Sequence, residues 1–379
     1  MRIAFYAPLK PPSHPVPSGD RRIGRLLLKA LRHAGHDVRA VSRFRAYEGK
    51  GDLTAQQELR RRGGAVATRL AGRLRRWRPQ LWFTYHLYHK APDWLGPPVA
   101  KQLGIPYVVA EAAYAPRRSA GRWPEGLAAV ASAIRSADAV VFLNPIDRVC
   151  VAPLMRRTAT PVLVDPFLES APFGAARARR AAHRRRLART HRIDPAQPWL
   201  LAVAMMRPGD KLASYRVLAG ALARIEARPW QLLLVGDGPA RREVRARFGR
   251  FGRRIHFLGA MPERSLPAIY AAADLFVWPG VNEAIGQAVL EAQAAGLAAV
   301  AGKAGAIGRI VADRRTGLLV PMGNAGAFAG AVAALLDNRV GRQRMGGAAA
   351  RKAAGRHDLA AAARTLDRAL TALVRKRAR

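Results

Sequence analysis

Short apolar runs alternate with longer stretches of helical periodicity along the whole chain. The apolar runs predict β-strands at residues 3–7, 37–41, 81–85, 107–110, 139–143, 162–164, 200–204, 231–235, 255–257, 275–278, 298–301 and 317–320. Between them, stretches such as 23–34 and 125–135 show the apolar spacing of amphipathic helices. Strands that alternate with helices favour parallel sheets covered on both faces, so we predict an α/β fold.

The alternating pattern begins anew near residue 199, after a stretch dominated by Ala and Arg that ends in two prolines. A chain of 379 residues suits two domains of Rossmann size. We therefore predict two doubly wound domains that face a central crevice, one of residues 1–172 and one of residues 199–355. Residues 173–198 are expected to be a basic linker. Residues 356–379 are expected to form a final helix that packs back on a domain, with the N-terminal domain as one candidate.

The chain is strongly basic. The chain has 65 Lys and Arg against 25 Asp and Glu, a formal net charge of +40. Such an excess predicts an anionic partner: a membrane surface, a nucleic acid or a polyanionic glycan. The alternative is GC-rich coding, which explains Arg in place of Lys but not the small number of acids. Basic amphipathic stretches at 21–32 and 69–77 suit anionic lipid, although each also fits a solvated helix face over an ordinary core.

The same features predict where the protein works. No apolar run reaches the ~20 residues that span a bilayer, and residues 1–8 read as a first strand and not as a signal peptide. The single cysteine, Cys150, fits a reducing compartment and is expected to be a small buried residue. We therefore expect a cytoplasmic protein, peripheral on the inner face of the cytoplasmic membrane.

Candidate chemistry concentrates after the strand at 275–278. Glu283 falls in the turn, Gly286 near the start of a helix, and Glu291 within that helix. A glycine at a helix N-terminus admits an anion closely, and the helix dipole favours negative charge there. Carboxylates at this spacing can accept hydrogen bonds from the hydroxyls of a sugar and a ribose. The alternative is an exposed Glu291 and a Glu283 that only complements the helix dipole.

Five motifs in this half resemble the family-4 glycosyltransferases of the GT-B fold, which retain anomeric configuration and use nucleotide sugars. The signature is Ala273-Asp274 and Pro279, followed by two glutamates, Glu283 and Glu291. Further matches lie at 235–239, 255–259, 270–274 and 316–320, so the resemblance covers most of residues 199–335 in the family's order. The first half matches in outline only.

The resemblance implies binding roles for eight residues of the second domain. They are Arg207, Lys211 and Gly286 for the donor diphosphate, Glu283 for the donor sugar, Glu291 for the ribose, and the backbone of Phe257, Leu258 and Gly259 for the base. The assignment of the two cations is physically reasonable, because they would neutralise charge that grows on a leaving diphosphate.

The first domain departs from the family pattern. Ser18 and Gly19 occupy the place of the family's glycine-rich acceptor or phosphate loop, with one glycine where the family has two. The family's mid-domain histidine is missing, and His86 and Glu111 are the candidates to replace it, beside Glu283, as catalytic residues. Arg309 stands where the family has an acidic residue, and the sequence leaves its role open.

The chain contains no Asp-x-Asp pair, and His86 and His89 lack further ligands at useful spacing. We therefore expect no metal and no cofactor, with the nucleotide sugar as a substrate. The resemblance implies a metal-independent hexosyltransferase that moves a sugar from a UDP- or GDP-sugar, with retention, to a glycan or lipid-linked acceptor in cell-envelope polysaccharide or glycolipid synthesis.

Two rival functions remain. One is a basic protein that binds polyanions or nucleic acid on the same scaffold without transferase activity, although the chain shows no helix-turn-helix, zinc-finger or RNA-reading motif. The other is an epimerase or phosphorylase of GT-B architecture. A phosphorylase usually needs a pyridoxal lysine, for which Lys211 and Lys303 stand in poor contexts.

Overall fold

A computed structural model describes residues 1–16, 18–115 and 121–378. Its strands are β1 (Arg2–Tyr6), β2 (Asp37–Ala40), β3 (Leu81–Leu87), β4 (Tyr107–Ala112), β5 (Ala139–Phe142), β6 (Thr160–Leu163), β7 (Trp199–Val203), β8 (Gln231–Val235), β9 (Ile255–Gly259), β10 (Leu275–Trp278), β11 (Ala299–Gly302) and β12 (Gly317–Val320). Its α-helices are α1 (Gly19–His33), α2 (Leu53–Trp77), α3 (Gly96–Leu103), α4 (Pro124–Ser136), α5 (Arg148–Val151), α6 (Ala171–Ala178), α7 (Arg180–His191), α8 (Asp210–Ala223), α9 (Arg241–Phe248), α10 (Leu266–Ala272), α11 (Gln287–Ala294), α12 (Ile307–Ile310), α13 (Ala325–Asp337), α14 (Arg339–Arg356) and α15 (Leu359–Ala378).

The chain divides into two compact units. The first comprises Met1–Val164 and Leu359–Arg379, and the second comprises Asp165–Asp358. Each unit holds one six-stranded sheet, in the order β2-β1-β3-β4-β5-β6 and β12-β11-β10-β7-β8-β9 respectively. All the strand pairings are parallel. The predicted α/β class with two doubly wound, Rossmann-like sheets is confirmed.

The strand order reverses once in each sheet. The reversal falls between β1 and β3 in the first unit and between β7 and β10 in the second. Connections leave these neighbouring strands toward opposite faces of the sheet, and the divergence opens a crevice at their carboxyl ends. Ligand-binding residues are therefore expected directly after β1 and β3, and after β7 and β10.

The strands form the core of each unit because their side chains are apolar on both faces. In the second unit, for example, Leu232, Leu233 and Leu234 have no exposed surface. Continuous aliphatic runs of this kind are typical of parallel strands covered by helices on both sides. The sheets therefore provide rigid platforms that hold the loops at their carboxyl ends.

The two basic amphipathic helices use their apolar faces for packing. Ile23 and Leu27 of α1 are buried, as are Leu70 and Leu74 of α2. The helix α1 packs against α15, and α2 packs against α3 and α4. The apolar stripes of both helices are thus committed to the core of the first unit, and their arginines lie toward solvent.

The segment 173–198, which we expected to be a linker, belongs mostly to two helices of the second unit. The helices α6 and α7 pack against α10, with Phe173 and Leu187 buried in the core. Arg180 and Arg184 both bind the carboxylate of Asp274, at 2.7 Å and 2.8 Å. The abundance of Arg made this segment look solvated, but ion pairs and long aliphatic stems attach it to the sheet.

The final helix, α15, lies in the first unit. It packs against α1, and His36 Nε2 of the α1–β2 connection lies 3.4 Å from Asp367 Oδ1. Nearer its end, the Arg377 side chain donates to the carbonyl of Gly104 at 3.2 Å. The chain therefore crosses from the first unit to the second after Val164 and returns after Asp358.

Cys150 is exposed, contrary to our expectation, because it lies on the outer side of the short helix α5 beyond the end of β5. Within the described ranges, none of the helices combines the length and the apolar character that crossing a bilayer requires.

Candidate functional site

A lysine and a glutamate meet at the strand-order reversal of the second unit. Lys211 lies in the first turn of α8, after β7, and Glu283 lies in the turn after β10. Lys211 Nζ donates to Glu283 Oε2 at 2.5 Å, and Trp278 Nε1 donates to the same oxygen at 3.1 Å. The side chains of Lys211 and Glu283 are 33% and 18% exposed, so both charges are partly shielded and still accessible. This pair stands where a doubly wound sheet binds its ligand.

The turn that carries Glu283 is fastened to α8. The Val281 amide donates to Ser214 Oγ at 2.9 Å, and the Asn282 side-chain amide donates to Asp210 Oδ1 at 3.0 Å. Asn282 adopts a left-handed φ of 51°, which asparagine tolerates better than most residues. Sequence reasoning missed these anchors, since only the left-handed tendency of Asn282 gives a local signal.

Gly286 is the N-cap residue of α11, as the prediction required. Its φ is 83°, and a Cβ atom at this position would lie 2.1 Å from Ile307 Cδ1. Glycine is therefore needed for the backbone conformation and for the contact with α12. No side chain caps α11 at Gly286, so its first amide groups are available to an anion.

Glu291 lies in the second turn of α11 and is only 1% exposed. This burial excludes the alternative in which Glu291 is an ordinary exposed helix residue. The Glu291 carboxylate is therefore enclosed by the protein and is not a solvated surface charge.

Two glycines after β8 hold the loop that carries Arg207. The φ angles of Gly236 and Gly238 are 140° and 151°. Cβ atoms there would lie 1.9 Å from the carbonyl oxygen of Ala204 and 2.4 Å from that of Met206. The glycine motif thus lets the loops after β7 and β8 touch. The Arg207 side chain is exposed on this loop and forms no ion pair within the described part of the chain.

The residues implied to bind the base end the edge strand β9, two strands away from β7. Gly259 has a φ of 72°, and its carbonyl accepts a hydrogen bond from the Gly236 amide at 2.8 Å. The guanidinium of Arg245 lies 4.7 Å from the centre of the Phe257 ring, and Leu258 is buried. All three residues thus lie at or near the same carboxyl edge as Lys211 and Glu283.

The first unit has its own polar cluster at the reversal between β1 and β3. His86, at the end of β3, places Nδ1 3.4 Å from Asp20 Oδ1 in the first turn of α1. The φ of His86 is 63°, and burial lowers the pKa of its imidazole. The rings of Tyr85 and Tyr88 lie edge-on to it, at 5.7 Å and 5.3 Å. Asp20 was not predicted from the sequence.

Glu111 lies beside this cluster, on the neighbouring strand β4. Its carboxylate accepts a hydrogen bond from the Leu143 amide at 2.8 Å, which fixes it against the end of β5. Burial, with a smaller contribution from Asp147, raises the pKa of Glu111 to about 7. Burial also raises the pKa of Asp147 to about 6. Glu111 has a left-handed φ of 57°, so two strained non-glycine residues, His86 and Glu111, end adjacent strands.

The predicted acceptor loop is less distinctive. Ser18 is the N-cap of α1, and its hydroxyl accepts a hydrogen bond from the Arg21 amide at 3.2 Å. Gly19 has no left-handed φ, and a Cβ atom there would meet nothing within 4 Å. The structure thus gives no steric reason for glycine at position 19, and the Ser18 hydroxyl is engaged in capping.

Arg309, the departure from the family pattern, binds the carboxylate of Asp165. Arg356 holds the other oxygen of that carboxylate at 2.6 Å. The arginine therefore has an acidic partner within its own unit, close to where the chain enters that unit. Among the residues that the structure describes, no three or more His, Cys, Asp or Glu side chains are grouped so as to hold a metal ion.

The two doubly wound units, each with polar residues at its reversal point, define the architecture of the GT-B glycosyltransferases. One solved structure with this fold is Anabaena HepE in complex with UDP and glucose. It aligns with a TM-score of 0.70 at 15% identity and covers 98% of this chain and 100% of that one. A sequence profile described as Glycosyl transferases group 1 matches residues 197–338. The match supports the resemblance drawn from the motifs, which is confirmed for this stretch of the chain.

Curated relatives match parts of the chain. The D-inositol 3-phosphate glycosyltransferase of Corynebacterium glutamicum (strain R) is 43% identical over 94 residues, which are 25% of this chain and 22% of that protein. The alpha-D-kanosaminyltransferase of Streptomyces kanamyceticus is 30% identical over 234 residues, 61% of this chain and 59% of that protein. The matched stretches thus span less than two thirds of either relative.

Proposed function

We propose that this protein is a glycosyltransferase that moves a sugar from a UDP- or GDP-sugar to a glycan or lipid-linked acceptor, with retention of anomeric configuration. The observation that carries the proposal is the Lys211–Glu283 pair, which stands at the strand-order reversal of the unit that the group 1 profile matches. A fixed cation beside a fixed carboxylate suits a ligand that presents a phosphate next to sugar hydroxyls.

In this proposal the second unit binds the donor. Lys211, Arg207 and the free amides at the start of α11 hold the diphosphate. Glu283 accepts hydrogen bonds from sugar hydroxyls, and Glu291 accepts them from the ribose. The backbone from Phe257 to Gly259 holds the base, and HepE, which was solved with UDP and glucose, supports uridine as one candidate.

The reaction breaks the bond between the anomeric carbon and the diphosphate oxygen and forms a bond from the same carbon to the acceptor oxygen on the same face. The proton of the acceptor hydroxyl passes to the leaving diphosphate, so atoms and charges balance without a covalent enzyme intermediate. Lys211, Arg207 and the helix amides stabilise the charge that develops on the leaving group. In this scheme the protein cations take the part that a divalent metal plays elsewhere.

The first unit is proposed to hold the acceptor, with Ser18 and Gly19 near the start of α1 as part of its loop. Its two candidate catalytic residues have different chemistry. With a pKa of about 7, Glu111 exists in both protonation states at neutral pH and can hydrogen-bond an acceptor hydroxyl, as a donor when protonated and as an acceptor when ionised. His86 has a lowered pKa and is neutral there, so it can accept a hydrogen bond from the acceptor and orient it.

The net charge of +40 supports an acceptor in or near an anionic membrane, and we propose a peripheral location at the inner face of the cytoplasmic membrane. Because α1 and α2 bury their apolar faces, this contact would be electrostatic. A relative named as a phosphatidyl-myo-inositol mannosyltransferase, from Mycobacterium leprae (strain TN), is consistent with glycolipid synthesis in the cell envelope.

The test is sugar transfer in EDTA from a panel of nucleotide sugars, with the anomeric configuration of the product read by NMR. We expect Glu283→Gln to lower kcat by about a hundredfold or more, because the sugar loses a charged acceptor in the transition state. Glu243→Gln, which changes a more exposed glutamate on α9, is the matched control and should retain normal turnover. Near-normal turnover by Glu283→Gln, or an inverted product, would contradict the proposal.

A further inference from the structure

We propose that the second unit contains a separate binding site for a small polyanion with clustered phosphoryl groups. The site is a cavity of about 630 Å³ between α12, the loop that leads to β12, and the second half of α14. This volume lies within the ordinary range of small-molecule sites. Its lining includes small side chains, among them Gly308, Ala312 and Ala348, which leave room between the charged groups.

Five cationic side chains line this cavity. They are Arg309, Arg315, Arg351, Lys352 and Arg356. Within the described residues, the one carboxylate that forms an ion pair with any of them is Asp165, which binds Arg309 and Arg356. Five cations against one carboxylate leave a large local excess of positive charge inside a concave surface, where fields act most strongly on a ligand.

Part of this cluster is held in place before any ligand arrives. Lys352 Nζ donates to the carbonyl oxygens of Arg309 and Ile310 at 2.5 Å and 2.6 Å, where α12 ends. Burial and the nearby Arg356 lower the pKa of Lys352 to about 8, so it stays mainly charged at neutral pH at an energetic cost that an anion would relieve.

The two remaining arginines are the natural ligand contacts. Arg315 and Arg351 are exposed at the cavity, and neither forms an ion pair with any carboxylate in the described part of the chain. Guanidinium groups bind phosphoryl oxygens in pairs of parallel hydrogen bonds. A ligand with two or more phosphoryl groups can engage both arginines and Lys352 together, whereas a single carboxylate or chloride cannot.

Helix α12 packs against Gly286 on one side, but Arg315 and Thr316 place the opposite side of the cavity away from the proposed donor site. Thr316, part of the cavity lining, directly precedes β12 and so lies at the amino edge of the parallel sheet. Lys211 and Glu283 follow their strands and lie at the carboxyl edge. A donor bound at the carboxyl edge therefore leaves Arg315 and Arg351 unoccupied.

The polyanion would compete with Asp165 for Arg309 and Arg356. Asp165 is the first residue of the second unit, so binding acts on the point where the chain enters that unit. It follows that Asp165→Asn should tighten binding, because it removes the carboxylate that competes for these two arginines.

The test is isothermal titration calorimetry of the full chain with inorganic tripolyphosphate. We expect the affinity of the double variant Arg315→Gln/Arg351→Gln to fall at least about tenfold, and that of Asp165→Asn to rise several-fold. The matched control, Arg242→Gln/Arg247→Gln, removes two exposed arginines from α9 and should bind as the parent does. Tripolyphosphate can also occupy the donor site, so Lys211→Gln should lose at most that second site and keep the one that Arg315 and Arg351 form, which distinguishes the two sites.

Equal weakening by both double variants would overturn the proposal, because the total charge would then explain binding. So would loss of binding in Lys211→Gln alone, which would place the probe at the donor site. Competition from phosphatidylcholine vesicles that carry phosphatidylinositol 4-phosphate, absent in Arg315→Gln/Arg351→Gln, would assign the phosphoryl groups to a lipid headgroup. Tripolyphosphate binding without such competition would assign them to a soluble ligand.

Discussion

Lys211 and Glu283 were both predicted from the sequence, but their direct contact was not. They lie 72 positions apart, and the strand order that brings them together depends on the whole sheet. The anchors of the Glu283 turn, Ser214 and Asp210, were missed for the same reason. Partly exposed ion pairs contribute little to stability. We therefore propose that this pair serves ligand binding rather than stability.

The left-handed backbones of His86 and Glu111 were also not predictable, because glutamate rarely adopts that conformation and histidine, although enriched in it, adopts other conformations at most positions. Such residues persist only where the surrounding structure holds them, and they tend to lie at functional sites. The sequence indicated that both residues end strands, but it did not indicate their strain or the presence of Asp20 beside His86.

The raised pKa of Glu111 predicts a specific pH dependence of stability. Between the ordinary pKa of 4.5 and the folded value of about 7, the folded state binds more protons than the unfolded state. The contribution of protonated Glu111 to the free energy of unfolding is therefore fully present below pH 4.5 and is lost as the pH rises through 7. Glu111→Gln should remove this loss. The difference in free energy of unfolding between Glu111→Gln and the parent should therefore shift in favour of the variant by up to about 3 kcal/mol from acidic to alkaline pH.

Urea unfolding of the parent and Glu111→Gln at about pH 5 and about pH 8 measures this difference. A difference in the free energy of unfolding that does not change with pH would show that Glu111 ionises normally in the folded protein.

The helices and strands were more predictable than the contacts between them. All twelve strands lie where the apolar runs predicted, with ends within two residues, because buried parallel strands require continuous apolar sequence. The segment 173–198 was mispredicted because its helices carry few apolar residues. Arg180 and Arg184 compensate by binding Asp274, a contact that no local pattern reveals.

The glycine motif after β8 gives a prediction about the loop that carries Arg207. Gly236→Ala should lower the free energy of unfolding by more than about 2 kcal/mol, because its Cβ atom would overlap the carbonyl oxygen of Ala204. Gly330→Ala is the control, since Gly330 is exposed in α13 and its Cβ atom would meet nothing within 4 Å. That change should stabilise the protein by up to about 1 kcal/mol. Equal stability of the two variants in urea would refute the steric account.

The net charge of the whole chain follows from its composition, but composition does not predict which surfaces stay exposed to bind partners. The apolar stripes of α1 and α2 suited a membrane as well as a core, and the fold assigns them to the core. The sequence left open which domain the final helix packs on. Its periodicity shows which side of the helix is apolar but not which element covers that side. Its contacts with α1 lie in the first unit.

Electrostatic membrane association predicts strong salt dependence. The protein should sediment with anionic vesicles at low ionic strength, dissociate as salt approaches about 0.5 M, and ignore neutral phosphatidylcholine vesicles. Binding that persists at high salt would instead require apolar side chains to enter the bilayer, which the packed faces of α1 and α2 do not provide.

We propose a metal-independent donor site at the strand-order reversal of the second unit. Thermal unfolding with UDP, GDP and ADP, each in EDTA, tests it most directly. We predict that one nucleotide raises Tm by several degrees, that EDTA leaves the shift unchanged, and that Lys211→Gln abolishes it while the exposed-lysine control Lys101→Gln, in α3 of the first unit, preserves it. A shift that requires a divalent metal, or no shift with any nucleotide, would contradict this account and favour a basic protein that binds polyanions on a GT-B scaffold.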